Sequence, residues 1–238
     1  MELKIKNEVF AAGLSVGLGL LMLGLCLKGG IEDFKAKDRV VSVKGLSEKE
    51  VPADRVIWPL AFKEIGDDLA TMNTNIQQKN GAIVHYLKSN GLEASEISLS
   101  APEIIDMQAE RYSSTPSRYR YNITSIVTVN SSKIETVRKL MEGQDELIRQ
   151  GIAITGDDYR FQKQFIFTKL NKIKPGMIEE ATKNARASAL KFAQDSESKL
   201  GKIKSADQGQ FSITDRDANT PYIKMVRVVT TINYYLED

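Results

Sequence analysis

Few residues in this sequence could bind a transition metal or act as catalytic nucleophiles and bases. The chain has one histidine, His85, and one cysteine, Cys26, among its 238 residues. A structural zinc site needs three or four such ligands, and a nucleophilic triad needs a nucleophile, a base and an orienting group together. We therefore predict no catalytic residue, no metal site and no cofactor.

The acidic residues do not form a convincing site either. Asp215, Asp217 and Asn219 place oxygen ligands at alternate positions, as the start of a calcium loop does, but Thr220 and Val226 replace the expected glycine and closing glutamate. We predict a hairpin loop rich in turn-forming residues. The neighbouring pairs Asp157-Asp158 and Glu179-Glu180 point apart on a strand or helix, so they cannot share one substrate as paired catalytic carboxylates do.

Cationic and aromatic residues alternate in Arg111-Tyr112 and in Arg118-Tyr119-Arg120-Tyr121, a pattern found in binders of single-stranded nucleic acid. On a strand the tyrosines would share one face and the arginines the other, which is the pattern of an ordinary half-buried strand. The chain has 33 Lys+Arg against 31 Asp+Glu, a net charge of +2. Such a balance provides no broad positive field, and we predict no nucleic-acid partner.

An apolar segment lies near the N-terminus, after a short tail of residues 1–8. Residues 9–27 carry no charge and would rise roughly 28 Å as a helix, enough to cross a bilayer. The run is followed by Lys28-Gly29-Gly30-Ile31 and not by a small-residue cleavage site, so we predict an uncleaved transmembrane anchor or signal-anchor. Leu25 is too large for the position before a lipidated cysteine, which makes Cys26 a membrane cysteine, although cleavage and lipidation stay open. Residues 28–38 form a tether.

Two short patterns fall inside this segment. Gly13-Leu14-Ser15-Val16-Gly17 matches the serine nucleophile elbow, but a serine in lipid has neither the strand-to-helix turn nor the histidine that the chemistry needs. The same residues match G-x-x-x-G, which allows membrane helices to approach closely. Lysines precede and follow the segment, so the distribution of charge does not decide the membrane orientation.

The remaining residues, 39–238, have the patterns of an α+β domain. Period-two alternation predicts strands at Val40–Val43, at Val56–Phe62 after a turn through Gly45, and around Ile97–Leu99, Tyr119–Val129, Tyr159–Phe167 and Tyr222–Leu236. Pro59 cannot donate a ladder hydrogen bond, so we place it at a sheet edge or a bulge. Helical spacing predicts three amphipathic helices: Leu69 to Asn90-Gly91, Ser132 to Arg149, and Pro175 to Gly201. The inward stripe of the third helix is Ile178, Ala181, Ala185, Ala189, Phe192 and Leu200.

The order of these elements repeats. Residues 56–129 and 158–236 each contain an aromatic strand, a long helix, a short strand, a polar loop and a long strand that starts near a tyrosine. We therefore predict two pseudo-repeated strand-helix-strand-strand units, about 39–131 and 132–238, whose long amphipathic helices pack on antiparallel sheet. A transmembrane helix would precede them.

This order resembles the SIMPL domain family, and so do several short stretches: Val41-Ser42-Val43-Lys44-Gly45 leading into Val51-Pro52-Ala53-Asp54, Asn90-Gly91-Leu92 before Ile97-Ser98, and the alanines at 181, 185 and 189. The family includes bacterial periplasmic immunogenic and oxidative-stress-defence proteins. The resemblance covers about residues 39–236 and implies an extracytoplasmic α+β protein, with homo-oligomers among its relatives and no established reaction. It supplies no catalytic residues.

We accordingly expect a single-pass inner-membrane protein with its body in the periplasm, acting as a self-assembling binding or structural module in envelope or oxidative-stress defence. The partners expected are further copies of the chain and the membrane; the small-molecule ligand and the number of subunits are not specified by the sequence. Two alternatives stay open. One is an envelope enzyme that uses carboxylates or an unseen cofactor, and the other is a partner-binding protein that faces the cytoplasm.

Overall fold

The computed structural model describes residues 13–28, 30, 39–109, 118–156 and 158–237. The described helices are α1 (13–28), α2 (Leu69–Ser89), α3 (Ile134–Glu142), α4 (Asp145–Arg149) and α5 (Leu170–Asp195). The described strands are β1 (Val40–Pro52), β2 (Arg55–Gly66), β3 (Ile97–Leu99), β4 (Glu103–Asp106), β5 (Tyr121–Ser131), β6 (Gln164–Ile166), β7 (Lys199–Gln208), β8 (Ser212–Asp215) and β9 (Ile223–Glu237). The predicted α+β class is confirmed, with antiparallel sheets and several helices.

The helix α1 exposes its large apolar side chains, which lie between 56% and 65% accessible from Leu14 to Leu27. Among the described residues, no helix is both long and apolar enough to cross a membrane. The predicted span of residues 9–27 includes 9–12, which lie outside the described residues. The tail 1–8 lies outside them too, as do positions 29 and 31–38 of the tether.

The chain divides into two compact units, each assembled from separate segments. Unit 1 comprises Met1–Glu48, Lys174–Phe211 and Arg227–Asp238. Unit 2 comprises Lys49–Ile173 and Ser212–Val226. Strands β1 and β9 contribute residues to both units, so the division does not follow the order of the chain.

Unit 2 is built on a five-stranded antiparallel sheet in which β5 and β2 pair along eleven positions, from Val56 opposite Ser131 to Gly66 opposite Tyr121. The short strands β3 and β4 pair with the other side of β5, and β6 pairs with β2. One sheet face and α2 enclose the main core, whose largest fully buried members include Leu60, Phe62, Ile76, Ile83 and Leu87.

The helix α2 has the ends that its sequence predicts. Its N-cap Asp68 accepts hydrogen bonds from Ala70 N and Thr71 N, both at 3.2 Å. The helix ends at Asn90, and Gly91 follows with a φ of +95°, a conformation that glycine adopts without strain. The apolar residues Met72, Ile76, Ile83 and Leu87, at helical spacing, are buried, and Leu69 in the first turn is exposed.

Unit 1 contains the sheet order β1-β9-β7 and the helix α5, with Val43, Ala185, Ala189, Ile232 and Tyr234 forming its core cluster. The backbone of α5 lies very close to β1. A Cβ placed on Gly45 would be 1.8 Å from the carbonyl oxygen of Ala181 and 2.5 Å from Ala185 N. The turn predicted at Gly45 is therefore wrong: β1 continues through it, and glycine is needed there because a helix backbone packs against the strand.

Two predicted helices differ from the structure in their bounds. The helix predicted from Ser132 to Arg149 is interrupted at Gly143, the C-cap of α3, after which α4 follows; Leu147 is buried there, whereas Ile148 is exposed. The break falls at Gly143 because glycine favours a helix end. Its N–H donates to Lys139 O, which closes the last turn of α3.

The third predicted helix, α5, begins at Leu170, five residues before Pro175, and ends at Asp195. Its buried stripe is Met177, Ala181, Ala185, Ala189 and Ala193, while Phe192 is exposed. Gly201 does not end this helix, because Leu200 and Gly201 belong to β7. Spacing alone placed these two residues on the helix, but pairing with β9 defines them as strand.

Candidate functional site

Neither the single histidine nor the single cysteine lines one of the cavities described below. His85 is on the exposed side of α2, where Ser89 Oγ lies 3.4 Å from its Nε2. Cys26 is an exposed residue of α1. Ser15 also lies on that helix and not on a strand-to-helix turn, so the nucleophile-elbow pattern lacks its required setting. No group of three or more His, Cys, Asp or Glu residues in the described part of the chain is arranged to hold a metal ion.

The acidic loop after β8 is a hairpin loop held by its own hydrogen bonds. Asp217 Oδ1 accepts from Asn219 N at 2.9 Å and from Thr220 N at 2.8 Å, which is an Asx turn. The Thr220 hydroxyl and the Arg216 guanidinium also donate to Asp217, and together they lower the pKa of its carboxyl from 3.8 to about 2. Asp215 pairs with Lys224. Both aspartates of this loop therefore have partners within the protein.

The arginines of the Arg-Tyr stretch are likewise engaged within the protein. Arg120 donates to Asp106 Oδ2 from Nε at 3.1 Å and from Nη2 at 3.0 Å, and its guanidinium lies 4.9 Å from the Tyr121 ring centroid. The side-chain hydrogen bond to Asp106 raises the pKa of Arg120. The strand β5 begins only at Tyr121, and Arg111 and Tyr112 lie outside the described residues.

The two acidic pairs also have separate surroundings. Glu179 pairs with Lys183 at 2.6 Å, and Glu180 accepts a 2.7 Å hydrogen bond from Ser47 Oγ. Asp158 forms an ion pair with Arg160 at 2.9 Å, and that arginine lowers the pKa of Asp158; Asp157 lies outside the described residues.

The residues that do form a candidate site were not singled out by the sequence. Three neighbouring cavities open along one region of unit 2, with volumes of about 350, 250 and 490 Å³. The first and second share Gln144 and Lys163, and the second and third share Tyr222. We call the three together the unit 2 cleft.

Aromatic, amide and cationic side chains dominate the unit 2 cleft. Its residues include Trp58, Phe161, Phe165, Tyr222, Gln144, Gln162, Asn219, Arg138 and Lys163. The described lining contains one carboxylate in the second cavity, Glu142, one in the third, Glu135, and none in the first. Ligand sites combine apolar walls with a few polar groups in this way, whereas acid–base catalysis by two carboxylates needs them to converge.

The middle of the cleft is held by a stack centred on Tyr222. The Arg138 guanidinium lies 3.7 Å from the centroid of the Tyr222 ring, and the Phe165 ring meets that ring edge to face at 6.1 Å. Tyr222 O accepts a 2.9 Å hydrogen bond from Ala53 N, which fixes its backbone. Arg138 also donates to both oxygens of Glu135, at 3.0 and 3.2 Å. Tyr222, held by these contacts, lines both the second and the third cavities.

The first cavity lies at an interruption in the edge of β2. On the side of β2 away from β5, β6 pairs with Arg55–Ile57 and Ile154 bridges to Phe62. Thr155 N donates to Ala61 O on this side at 2.7 Å, so Pro59, two residues earlier, also directs its backbone to this side of the strand. The strand β2 lies between β5 and β6 in the sheet, so the placement of Pro59 at a sheet edge or a bulge stays a prediction.

The sequence contained only weak signals for this cleft. Trp58, Phe161 and Phe165 were identified as strand residues by alternation, and Tyr222 as the start of a strand. Phe161 instead belongs to a short 3-10 turn, Tyr159–Phe161. Arg138 lies in a helical pattern where a cation would ordinarily be solvated, and only the fold brings Tyr222 beneath it.

The fold is that of an α+β protein with antiparallel sheets, and unit 2 has a cleft lined by aromatic, amide and cationic side chains. The model of the SIMPL family, whose description is a protein of unknown function (DUF541), matches residues 41–230. The chain therefore belongs to the SIMPL family, which confirms the resemblance inferred from the sequence. No curated protein matches the chain.

Proposed function

We propose that this protein is a membrane-anchored, extracytoplasmic binding module that self-associates. The observation that carries the binding role is the unit 2 cleft, where three adjoining cavities present aromatic rings, amides and cations, with at most one carboxylate each in the described lining. Such a surface can hold a ligand by stacking and hydrogen bonding. It gives no support to the alternative of a carboxylate-dependent enzyme.

A fragment screen by NMR on the full chain in detergent micelles tests the binding role. We expect chemical-shift changes that cluster on the cleft residues, above all on Gln144, Lys163 and Tyr222, which are shared between cavities. Changes that are absent, or that scatter over both units without clustering, would refute it.

The proposed anchor is the segment 9–27. Its support is the uncharged sequence and the apolar surface that α1 exposes along residues 14–27, since exposed apolar area of this extent calls for an apolar environment. The proposed location of the body, in the periplasm and attached to the inner membrane, is supported by the family resemblance and not by the charges. A body in the cytoplasm is the alternative.

Cysteine labelling separates these two locations, because Cys26 is the only cysteine in the sequence. In a Cys26→Ser background, Lys202→Cys places a thiol on the exposed strand β7. We expect a membrane-impermeant maleimide to label it in intact spheroplasts. Labelling only after lysis would show that the body faces the cytoplasm.

The proposed self-association is supported by the strand β7. It pairs with β9 on one side, no described strand pairs with its other side, and eight of its ten residues are exposed. An unpaired strand edge is a template for pairing with another chain. Light scattering of the full chain in micelles, with crosslinking in intact cells, should reveal an oligomer; a monomer in both would exclude this part of the proposal.

A role in envelope or oxidative-stress defence would follow from binding or assembly and not from thiol chemistry. The only thiol, Cys26, lies within the proposed anchor. We expect a deletion strain to be sensitive to oxidants, and we expect the parent protein and the Cys26→Ser variant to rescue it equally. Loss of rescue in that variant would contradict a thiol-independent role.

A further inference from the structure

We infer that the second cavity of the unit 2 cleft binds a free α-amino acid with an apolar side chain, held by its ammonium and its carboxylate together. This inference rests on the proposed binding function and names a ligand class for one part of the cleft. Its basis is that side chains of both charges border one small space beside an aromatic wall.

The charges around this cavity favour a ligand that carries both signs. The cavity has a volume of about 250 Å³ and is bordered by the carboxylate Glu142 and by the cations Arg138 and Lys163. Arg138 forms its ion pair with Glu135, and no ion pair in the described part of the chain joins Glu142 to Lys163. A simple anion would be repelled by the carboxylate, and a simple cation by the two cations. A zwitterion can contact both groups favourably.

The cation with the best-defined position is Arg138. Its guanidinium lies 3.7 Å from the centroid of the Tyr222 ring, and both of its hydrogen bonds to Glu135 start from Nη1. Glu135 lines the third cavity, whereas Arg138 lines the second. The opposite edge of the guanidinium, with Nε and Nη2, is therefore the one that a ligand carboxylate would contact. Two parallel N–H groups of this kind match a carboxylate well.

The acceptors for the ammonium lie at the end of α3. Glu142 is the last residue of that helix, where the helix dipole favours positive charge. Gln144 follows shortly after it and donates from Nε2 to Met141 O at 2.9 Å. Because that bond uses the amide nitrogen, Oε1 is the atom of Gln144 that can accept a hydrogen bond from an ammonium.

The remaining lining forms an apolar wall. Phe165 is only 6% exposed, and its ring meets the Tyr222 ring edge to face at 6.1 Å. Met141 and Pro221 are half-buried beside them. A volume of about 250 Å³ lies below the usual range of drug-sized sites, so it suits a smaller ligand. An ammonium, a carboxylate and an apolar side chain on one carbon are the substituents of an apolar α-amino acid.

The experiment is an NMR titration of the full chain in detergent micelles, followed through the side-chain amide signals of Gln144 and Asn219, which both line the cavity. The probes are L-phenylalanine, phenethylamine, which lacks the carboxylate, 3-phenylpropanoate, which lacks the ammonium, and glycine, which lacks the apolar side chain. We expect phenylalanine to bind about tenfold more tightly than phenethylamine and 3-phenylpropanoate, because each has lost one charge-assisted hydrogen-bonding group. Glycine should also bind more weakly, since it cannot contact the apolar wall.

Variants at exposed positions assign these preferences to the cavity. Glu142→Gln should abolish the preference for phenylalanine over 3-phenylpropanoate, whereas Glu146→Gln, outside the lining of this cavity, should preserve it. Lys163→Gln should reduce the preference for phenylalanine over phenethylamine, because one of the two cations is lost. Lys172→Gln, which also lies outside the lining, should leave that preference as it is in the parent.

Equal affinity for phenylalanine and any of the other three probes would overturn the inference, as would equal effects of Glu142→Gln and Glu146→Gln. If the fragment screen still maps ligands to the unit 2 cleft, the proposed binding function stands and only the ligand class is wrong. If neither the fragments nor the probes bind, both proposals are wrong.

Discussion

At the scale of single residues, close packing decides which positions tolerate change. Gly45 is the clearest case, because its missing side chain allows the α5 backbone to approach β1. Hydrogen bonds add to that contact on either side: Asn184 Nδ2 donates to Leu46 O at 2.8 Å, and Ser47 Oγ donates to Glu180. Ser47 is only 1% exposed, whereas Glu180 and Asn184 are exposed.

Gly45→Ala should therefore destabilise the fold. Its Cβ would lie 1.8 Å from Ala181 O, so backbone has to shift, and we expect a Tm lower by about 5–10 °C in thermal unfolding followed by circular dichroism. Gly81→Ala in α2 is the matched control, because its Cβ would meet nothing within 4 Å. That change should leave the Tm the same or raise it slightly, since alanine favours helix. A Gly45 variant as stable as the parent would contradict the packing described.

The loop carboxylate Asp217 provides a test of local electrostatics. Hydrogen bonds to its charged form, the largest from Thr220, lower its pKa to about 2, so they stabilise the fold above pH 3.8 and are lost as the pH falls toward 2. Thr220→Val removes the largest of these, and we expect the pKa of Asp217 to rise toward 3.8 in a carboxyl NMR titration. Asp68, held by Thr71, should titrate as before. An unchanged Asp217 would show that its partners in solution are different.

At the scale of elements, the two long helices use different means to reach their sheets. The helix α2 buries large residues such as Ile76, Ile83 and Leu87, whereas α5 buries four alanines and one methionine. Small side chains bring α5 closer to its sheet, and this is why β1 needs a glycine beneath it. The contrast explains why apolar spacing located α2 well but assigned the exposed Phe192 to the inner face of α5.

Pro59 is the residue of β2 that has no N–H to donate. Pro59→Val would supply an N–H at the edge of β2 that β6 covers from Arg55 to Ile57, and we expect more concentration-dependent self-association in light scattering. Pro102→Val, at an exposed position outside the strands, is the control and should not change the apparent mass. If both variants behave like the parent, Pro59 does not protect this edge.

At the scale of the whole molecule, the proposed anchor would determine where the two units act. Residues 9–27 are uncharged, and one charged residue at the centre of a membrane helix costs roughly 2.5–3.5 kcal/mol. Leu18→Lys combined with Leu21→Lys should therefore move the protein from the membrane pellet to the soluble fraction after carbonate extraction.

The control for that prediction is Ile203→Lys combined with Ile213→Lys, which adds the same charge to exposed strand positions. This variant should stay in the pellet. Retention of both variants in the pellet would mean that another surface attaches the protein to the membrane.

The sequence by itself determined the features that depend on neighbouring residues. Alternation located β2, β5 and β9. Helical spacing located α2, together with Asp68 at its start and Asn90-Gly91 at its end. The order of the elements, with a few short sequence stretches, identified the family. It also indicated that Asp217 belongs to a turn, because the hydrogen bonds of an Asx turn reach only two or three residues along the chain.

Only the tertiary structure decided features that join distant segments. Arg138 stacks on Tyr222 across 84 positions of sequence, and β2 pairs with Ile154 and with β6, which lie far along the chain from it. Gly45 appeared to mark a turn until α5, more than 130 residues later, was placed against it. Local pattern cannot specify such contacts, because they depend on which faces pack together and not on the spacing of residues within one element.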